Sequence, residues 1–376
     1  MKIKRINITG FKSIRTLEID PDHQVNLIVG TNGSGKSSIL QALTIGLSWF
    51  TARMRNAKSN GMLIHANEIN NLSDDACIEI TLDNDVTWTL YKQKPTVRKK
   101  SGIKTDLSKL NIFVSDLVNS YDVEPNSAQL PVIVGYSVDR AVTEVPLRIQ
   151  RKHLLDPMSI YSGQLMGAIN FRAFFEWFRE REDLENEHRR DDVNFTSDKQ
   201  LDAVRTAINR TMPGYSNLRV KRNPRRIVLD KEGIEFRLEQ LSDGEKCYLA
   251  LIADIARRLA IGNPGLPDPL TGDGIIMIDE VDLHLHPAWQ KEVVPRLKAT
   301  FPNCQFFLST HSPHVVSNIK NYENEQLIVL NNGDRMNISF SSFGKNADRI
   351  LTEFFSLAST PNSEAQQHIK TCVMMT

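Results

Sequence analysis

The chain has 376 residues and is 40% apolar, enough to bury a large core, and its 46 basic and 45 acidic residues nearly cancel. That balance excludes a globally basic nucleic-acid binder, so any phosphate contact has to come from local Lys and Arg clusters. No apolar run approaches a membrane span, the amino terminus is charged and alternating, and Cys77, Cys247, Cys304 and Cys372 are scattered; the expectation is a cytoplasmic protein with free thiols and no membrane partner.

In chain order, the first informative element is the apolar run Val25, Leu27, Ile28 and Val29, read as a strand. It leads into Gly30-Thr31-Asn32-Gly33-Ser34-Gly35-Lys36-Ser37, a complete G-x-x-x-x-G-K-S loop, and then into a helix with Ile39, Leu40, Leu43 and Leu47 on one face. In such a loop the glycines turn successive N–H groups toward phosphates, the Lys36 ammonium reaches the β and γ oxygens, and the Ser37 hydroxyl can ligate Mg²⁺. ATP is the expected ligand, held by residues 30–38, Ser38 included.

A β region is predicted over about residues 76 to 136, followed by a helical segment over about 147 to 212. Two basic stretches flank the latter: Lys92, Lys94, Arg98, Lys99, Lys100 and Lys104, then Arg219, Lys221, Arg222, Arg225 and Arg226. Solvated hairpin edges and contact with DNA or RNA explain them equally well. Phe171, Phe174, Phe175, Trp177 and Phe178 form an aromatic cluster expected to pack in a core, with a subunit contact through Trp177 as the other reading. The mixed charges from Arg179 to Asp192 are expected to be a solvated helix face.

Leu241-Ser242-Asp243-Gly244-Glu245-Lys246 opens a helix with Leu249, Leu251, Ile252 and Ile255 along it, so Ser242 is the predicted N-cap. That helix end is an anion-binding group that needs a phosphate from elsewhere. Ile275-Ile276-Met277-Ile278 reads as a strand buried on both faces and delivers Asp279 and Glu280, a candidate Mg²⁺ ligand and a candidate general base. Gln305 to Leu308 reads the same way and delivers His311, suited to sensing a γ-phosphate by a hydrogen bond without a fixed charge. Open parallel sheets bind ligands at the carboxyl ends of their strands, so these three ends should converge on one nucleotide.

Taken together, these motifs resemble those of ABC-type ATPase heads. Ile6-Asn7-Ile8-Thr9-Gly10-Phe11-Lys12-Ser13-Ile14 resembles the first strand of RecF-like and SMC-like ATPases, and Leu241 to Lys246 resembles their signature motif. Ile275 to Glu280 resembles a Walker B strand, and Val281-Asp282-Leu283-His284-Leu285-His286-Pro287 resembles the segment after it in the group that includes OLD-family ATPases and the ATPase subunit of Septu defence systems, which are retron-associated. The resemblance implies that Ser242 and Gly244 of one protomer contact the γ-phosphate held by Lys36 of another, that Lys12 contacts the nucleotide, and that His284 and His286 pack at a dimer interface rather than bind metal. Leu130 to Tyr136 with Arg140 resembles a strand of that group near where a Q-loop falls, with Gln93 the one candidate glutamine.

About two hundred residues separate Lys36 from Ser242 and no sustained heptad pattern lies between them, which excludes long coiled-coil arms. No TOPRIM pattern follows His311, and no His-Asn-His pattern occurs, so cleavage of nucleic acid is not expected from this chain. Ser342 to Leu351 resembles the run leading into a further helical region in relatives, and here Thr371 to Thr376 follows soon after. The expected fold is an α/β, P-loop ABC-type head with a mixed and parallel sheet, flanking helices and a helical insertion: a first lobe over 1–146, the insertion over 147–212, a second lobe over 213–345 and a short helical tail over 346–376. The resemblance implies an ATPase subunit of a prokaryotic anti-phage defence complex that forms ATP-bridged dimers or higher oligomers and controls an HNH-type nuclease. The alternative is a RecF-like repair ATPase that clamps DNA.

Overall fold

The computed structural model describes residues 1–355 except 22–23, 98–101, 126, 128, 140–156, 164, 168, 170, 192–194, 224, 321–323 and 337–340. It begins with an antiparallel hairpin, β1 (Ile3–Phe11) and β2 (Ile14–Ile19), in which buried Ile6 and Ile8 alternate with solvent-facing positions. β3 (Val25–Gly30) is buried along its whole length and runs through the glycine loop into α1 (Lys36–Arg55). β4 (Asp75–Leu82) and β5 (Thr87–Gln93) complete a four-stranded antiparallel sheet of order β2-β1-β4-β5.

A helix, α2 (Ser108–Val123), then interrupts the stretch expected to be β. Leu110, Phe113, Val114, Leu117, Val118 and Tyr121 recur at spacings of three and four and pack on the core, which is why a helix wins there. β6 (Val132–Tyr136) returns to the interior. Of the expected helical segment, the described part holds α3 (Phe171–Asp191) and α4 (Lys199–Thr211), the latter capped by Asp198, whose Oδ1 accepts from Gln200 N at 2.9 Å and Leu201 N at 3.1 Å. All five aromatic residues of α3 are buried core.

The charge run on α3 is not uniformly solvated. Glu182 and Glu185 are buried, with Glu182 accepting Val220 N–H at 2.9 Å and both acids meeting Arg205 of α4. These acids are buried because α4 and a neighbouring strand supply them with a cation and an amide. That strand, β7 (Tyr215–Arg222), forms an antiparallel sheet with β8 (Arg225–Lys231) and β9 (Ile234–Arg237). The second basic stretch therefore lies on a hairpin, where Arg219 pairs with Asp230 at 3.2 Å, Lys221 with Glu235 at 2.6 Å, and Arg222 with Asp183. In the first stretch Lys94 donates to the carbonyls of Asn70 and Asn71, and residues 98–100 lie outside the described residues.

α5 (Asp243–Gly262), β10 (Gly274–Ile278), α6 (Pro287–Thr300), β11 (Cys304–Ser309), α7 (Pro313–Val316), β12 (Glu325–Asn331), β13 (Asp334–Met336) and α8 (Ala347–Phe355) follow. The six-stranded central sheet has the order β13-β12-β3-β11-β10-β6, parallel except for β13. Its middle strands are buried on both faces and mostly apolar, with Asn26 of β3 and Gln305 of β11 buried among them. β3, β11 and β10 are neighbours, so the glycine loop, His311 and the Asp279-Glu280 pair leave the sheet at one edge. No helix among the described residues is long and apolar enough to cross a membrane. Arg140 and the tail beyond residue 355 fall outside the described residues.

Candidate nucleotide site

The loop between β3 and α1 has the conformation its glycines permit. Gly33 has a φ of 77° and nothing lies within 4 Å of where a Cβ would stand, so the mouth of the loop is open. Lys36 is buried, and its ammonium folds back across the loop to donate to the carbonyls of Gly30 at 2.9 Å and Thr31 at 3.0 Å. Burial lowers its pKa, while the negative charges of Asp279 and Glu280 oppose the shift. The Ser34 hydroxyl is buried and has no hydrogen-bond partner among the described residues. Ser37 presents its hydroxyl 3.5 Å from Asp279 Oδ2, placing two hard oxygen donors side by side, the donor chemistry that suits Mg²⁺.

The carboxyl ends of three strands are laced together behind this loop. Asp279 N–H donates to the Tyr136 carbonyl at 2.9 Å, tying β10 to β6. On the β11 side the Ser309 hydroxyl donates to Asp279 Oδ1 and accepts from Glu280 N–H at 2.8 Å. Glu280 itself is held at a φ of 48°, a left-handed conformation that a β-branched or bulky side chain resists and that commonly marks functional turns. Just past β11, Thr310 donates to Asp282, and His311 follows, half-buried. Burial first, and then the Lys36 charge, push the His311 pKa below the usual imidazole value, against Glu280, Asp282 and Asp279. Sequence reading singled out Asp279, Glu280 and His311 but missed the bridging role of Ser309; the only signal was a Ser-Thr pair at the end of an apolar run.

At the turn between β1 and β2, Lys12 has a φ of 49°. Its ammonium donates to Gln41 on α1, whose amide donates to Glu68 at 2.7 Å. Ser13 and Ser38 share a hydroxyl contact of 3.1 Å beside it. Lys12 is thus placed along α1 and engaged with Gln41.

Ser242 caps α5 as expected: its hydroxyl accepts from Glu245 N–H at 3.3 Å while the Glu245 carboxylate takes Ser242 N–H at 2.7 Å. Gly244 lies against the His284 carbonyl, so the helix start and the loop after β10 form one surface of this chain. His286 serves as N-cap of α6, its Nδ1 accepting from Ala288 N–H at 3.3 Å. Among the described residues no group of three or more His, Cys, Asp and Glu side chains could hold a metal ion. Gln93 ends β5 in the antiparallel sheet, opposite Asp75 of β4, and its amide donates to the Val97 carbonyl at 3.3 Å.

A family model described as "AAA domain" matches residues 5–214, more than half of the chain. The chain belongs to the AAA-domain family. It is an ATPase similar in sequence to retron ATPases and Septu proteins. It is 29% identical to the "Retron Ec83 probable ATPase" of Escherichia coli over 96% of this chain and 77% of that one. With the "Septu protein PtuA" of Bacillus mycoides strain KBAB4 it shares 26% identity over 95% of this chain and 45% of that protein. Among solved structures, an Smc head bound to the C-winged helix domain of ScpA superposes with a TM-score of 0.50 at 16% identity, covering 91% of this chain and 98% of that one. That likeness shows the fold of an SMC-type head, and no long coiled coil occurs among the described residues.

Proposed function

We propose that two copies of this ATPase close face to face on ATP, and that the closed pair restrains an HNH-type nuclease effector in an anti-phage defence complex. One observation carries the two-head part. Lys36, Asp279, Glu280 and His311 gather at the carboxyl ends of adjacent strands, while the Ser242 hydroxyl, exposed on α5, bonds only within its own cap among the described residues. In this reading the loop amides and Lys36 bind the β- and γ-phosphates, and Glu280 takes the proton of the attacking water. His311, kept neutral, donates a hydrogen bond to the γ-phosphate as the water attacks in line. Ser242 and Gly244 of the second head complete the phosphate cradle. Ser37 and Asp279 are the residues that would hold Mg²⁺, which when bound neutralises charge on the phosphate oxygens. Lys12 is assigned to the nucleotide edge through its turn beside α1.

The defence context is supported by the retron and Septu relatives. The nuclease role is placed on a separate effector because, among the described residues, no group of three or more His, Cys, Asp and Glu side chains could hold a nuclease's metal ion.

Ser242→Arg tests the composite site. ATP binding to the isolated chain should persist while hydrolysis and ATP-dependent association disappear; normal hydrolysis by this variant would refute the two-head arrangement. Native mass spectrometry of the chain purified with its operon partners tests the effector. A mass containing the ATPase oligomer and a smaller nuclease is expected, and an ATP-dependent dimer that recruits only DNA would replace this reading with a repair clamp.

A further inference from the structure

The first turn of α5 carries a carboxylate whose outer face the two-head reading leaves unused. Glu245 Oε2 accepts from Ser242 twice, from the backbone N–H at 2.7 Å and from the hydroxyl at 2.9 Å. A capping box needs only this side. The other oxygen, Oε1, accepts the Lys231 ammonium at 2.6 Å and the Tyr215 hydroxyl. Tyr215 and Lys231 are register partners across β7 and β8, so the hairpin delivers both donors to one carboxylate. Tyr215 is in turn held edge-on against Trp289 of α6, with ring centroids 6.0 Å apart. Burial pushes the Glu245 carboxyl up, but Lys231, Tyr215 and Ser242 together bring it down to about 2, so it is ionised at neutral pH.

An ionised carboxylate at the start of a helix competes for the site where an incoming phosphate would land. Lys231 cancels that charge and draws the carboxylate toward the hairpin. We infer that Glu245, held by Lys231 and Tyr215, is a positioning residue: it fixes the Ser242 hydroxyl at the helix end and keeps that end receptive to a phosphate of a second head. The inference rests on the reading that Ser242 and Gly244 complete the phosphate cradle in trans.

The test is a double-mutant cycle in the full chain, with kcat, ATP KM and the affinity of a fluorescent ATP analogue as readouts. Lys231→Met should lower kcat roughly tenfold, the scale of a hydrogen bond to a charged group, with analogue affinity unchanged. Lys231→Arg should restore most of the rate, and Lys231→Met should cost less than about twofold in a Ser242→Ala background, because both act through one hydroxyl. Tyr215→Phe removes a single hydroxyl and keeps the ring packing, so it reports on the same link should Lys231→Met unfold. Equal costs of Lys231→Met in wild type and in Ser242→Ala, or an unchanged kcat, would overturn the inference. Inactive Ser242→Arg together with such additivity would sink this inference while leaving the two-head reading intact.

Discussion

A Cβ on Gly244 would stand 2.1 Å from the carbonyl oxygen of His284, a residue itself held at a φ of 61°. The start of α5 and the loop after β10 are therefore in backbone contact, and neither side has a flexible end that can yield. Alanine normally gains up to about 1 kcal/mol over glycine in a helix. Here overpacking against backbone, about 1–3 kcal/mol, outweighs that gain. Gly244→Ala should lower stability in urea by about 1–2 kcal/mol and reduce ATP turnover, with ATP binding retained. A variant more stable than wild type would show that the two segments separate freely.

Ser309 holds two consecutive residues at once, donating to the Asp279 carboxylate and accepting from the Glu280 amide. Removing it leaves a part-buried N–H unsatisfied, costing about 1–3 kcal/mol, at a residue whose positive φ needs support from its surroundings. Ser309→Ala is expected to lower kcat roughly tenfold or more while ATP KM changes little, since Lys36 and the loop are untouched. Steady-state kinetics decides it: a raised KM with normal kcat would assign Ser309 to binding instead of alignment.

The parts of this site that were legible in sequence are those whose chemistry is local. The glycine loop, the Ser242 cap and the largely apolar runs of β3, β10 and β11 each announce themselves within a few residues. The parts that were not legible depend on partners distant in the chain. Glu182 reads as one more solvated acid until Arg205 and the Val220 amide arrive from α4 and β7. Glu245 reads as half of a capping box until the β7–β8 register brings Tyr215 and Lys231 onto its second oxygen. α2 was readable and was missed, because its spacing of three and four sits inside a stretch otherwise rich in strand formers.

His311 should titrate below the usual imidazole value in the nucleotide-free protein, because burial and the Lys36 ammonium both disfavour its charged form. As pH falls through that value the unfolded chain takes up a proton that the folded chain refuses, so this residue's effect is to lose stability toward acid. Wild type should therefore lose stability relative to His311→Gln between about pH 7 and 5. Replacing Lys36 by Met removes one of the two depressing causes and should raise the His311 midpoint, read from its imidazole resonance by NMR. A midpoint above the usual imidazole value in wild type would contradict the burial of His311 and the influence of the Lys36 charge on it.

Tyr136 connects the nucleotide edge to the signature helix through both of its ends. Its carbonyl accepts Asp279 N–H at 2.9 Å, and its hydroxyl donates to Asp254 Oδ2 on α5, also at 2.9 Å. Asp254 is buried and bonded to Arg257 at 2.7 Å and Arg258 at 2.8 Å; burial pushes its carboxyl up, but the two guanidiniums hold it well below the usual range. The two ends of this link should differ sharply in cost. Asp254→Ala strands two buried cations and should destabilise by about 3–5 kcal/mol, whereas Tyr136→Phe leaves the acid paired with both arginines and should cost about 1 kcal/mol. Because the folded carboxyl titrates below the unfolded one, the Asp254 contribution is present above about pH 4 and is lost as pH falls below it. Urea titrations at pH 7 and pH 3.5 check both statements: the gap between wild type and Asp254→Ala should narrow at the lower pH, and a gap that widens would mean the network is held together by something other than the ionised acid.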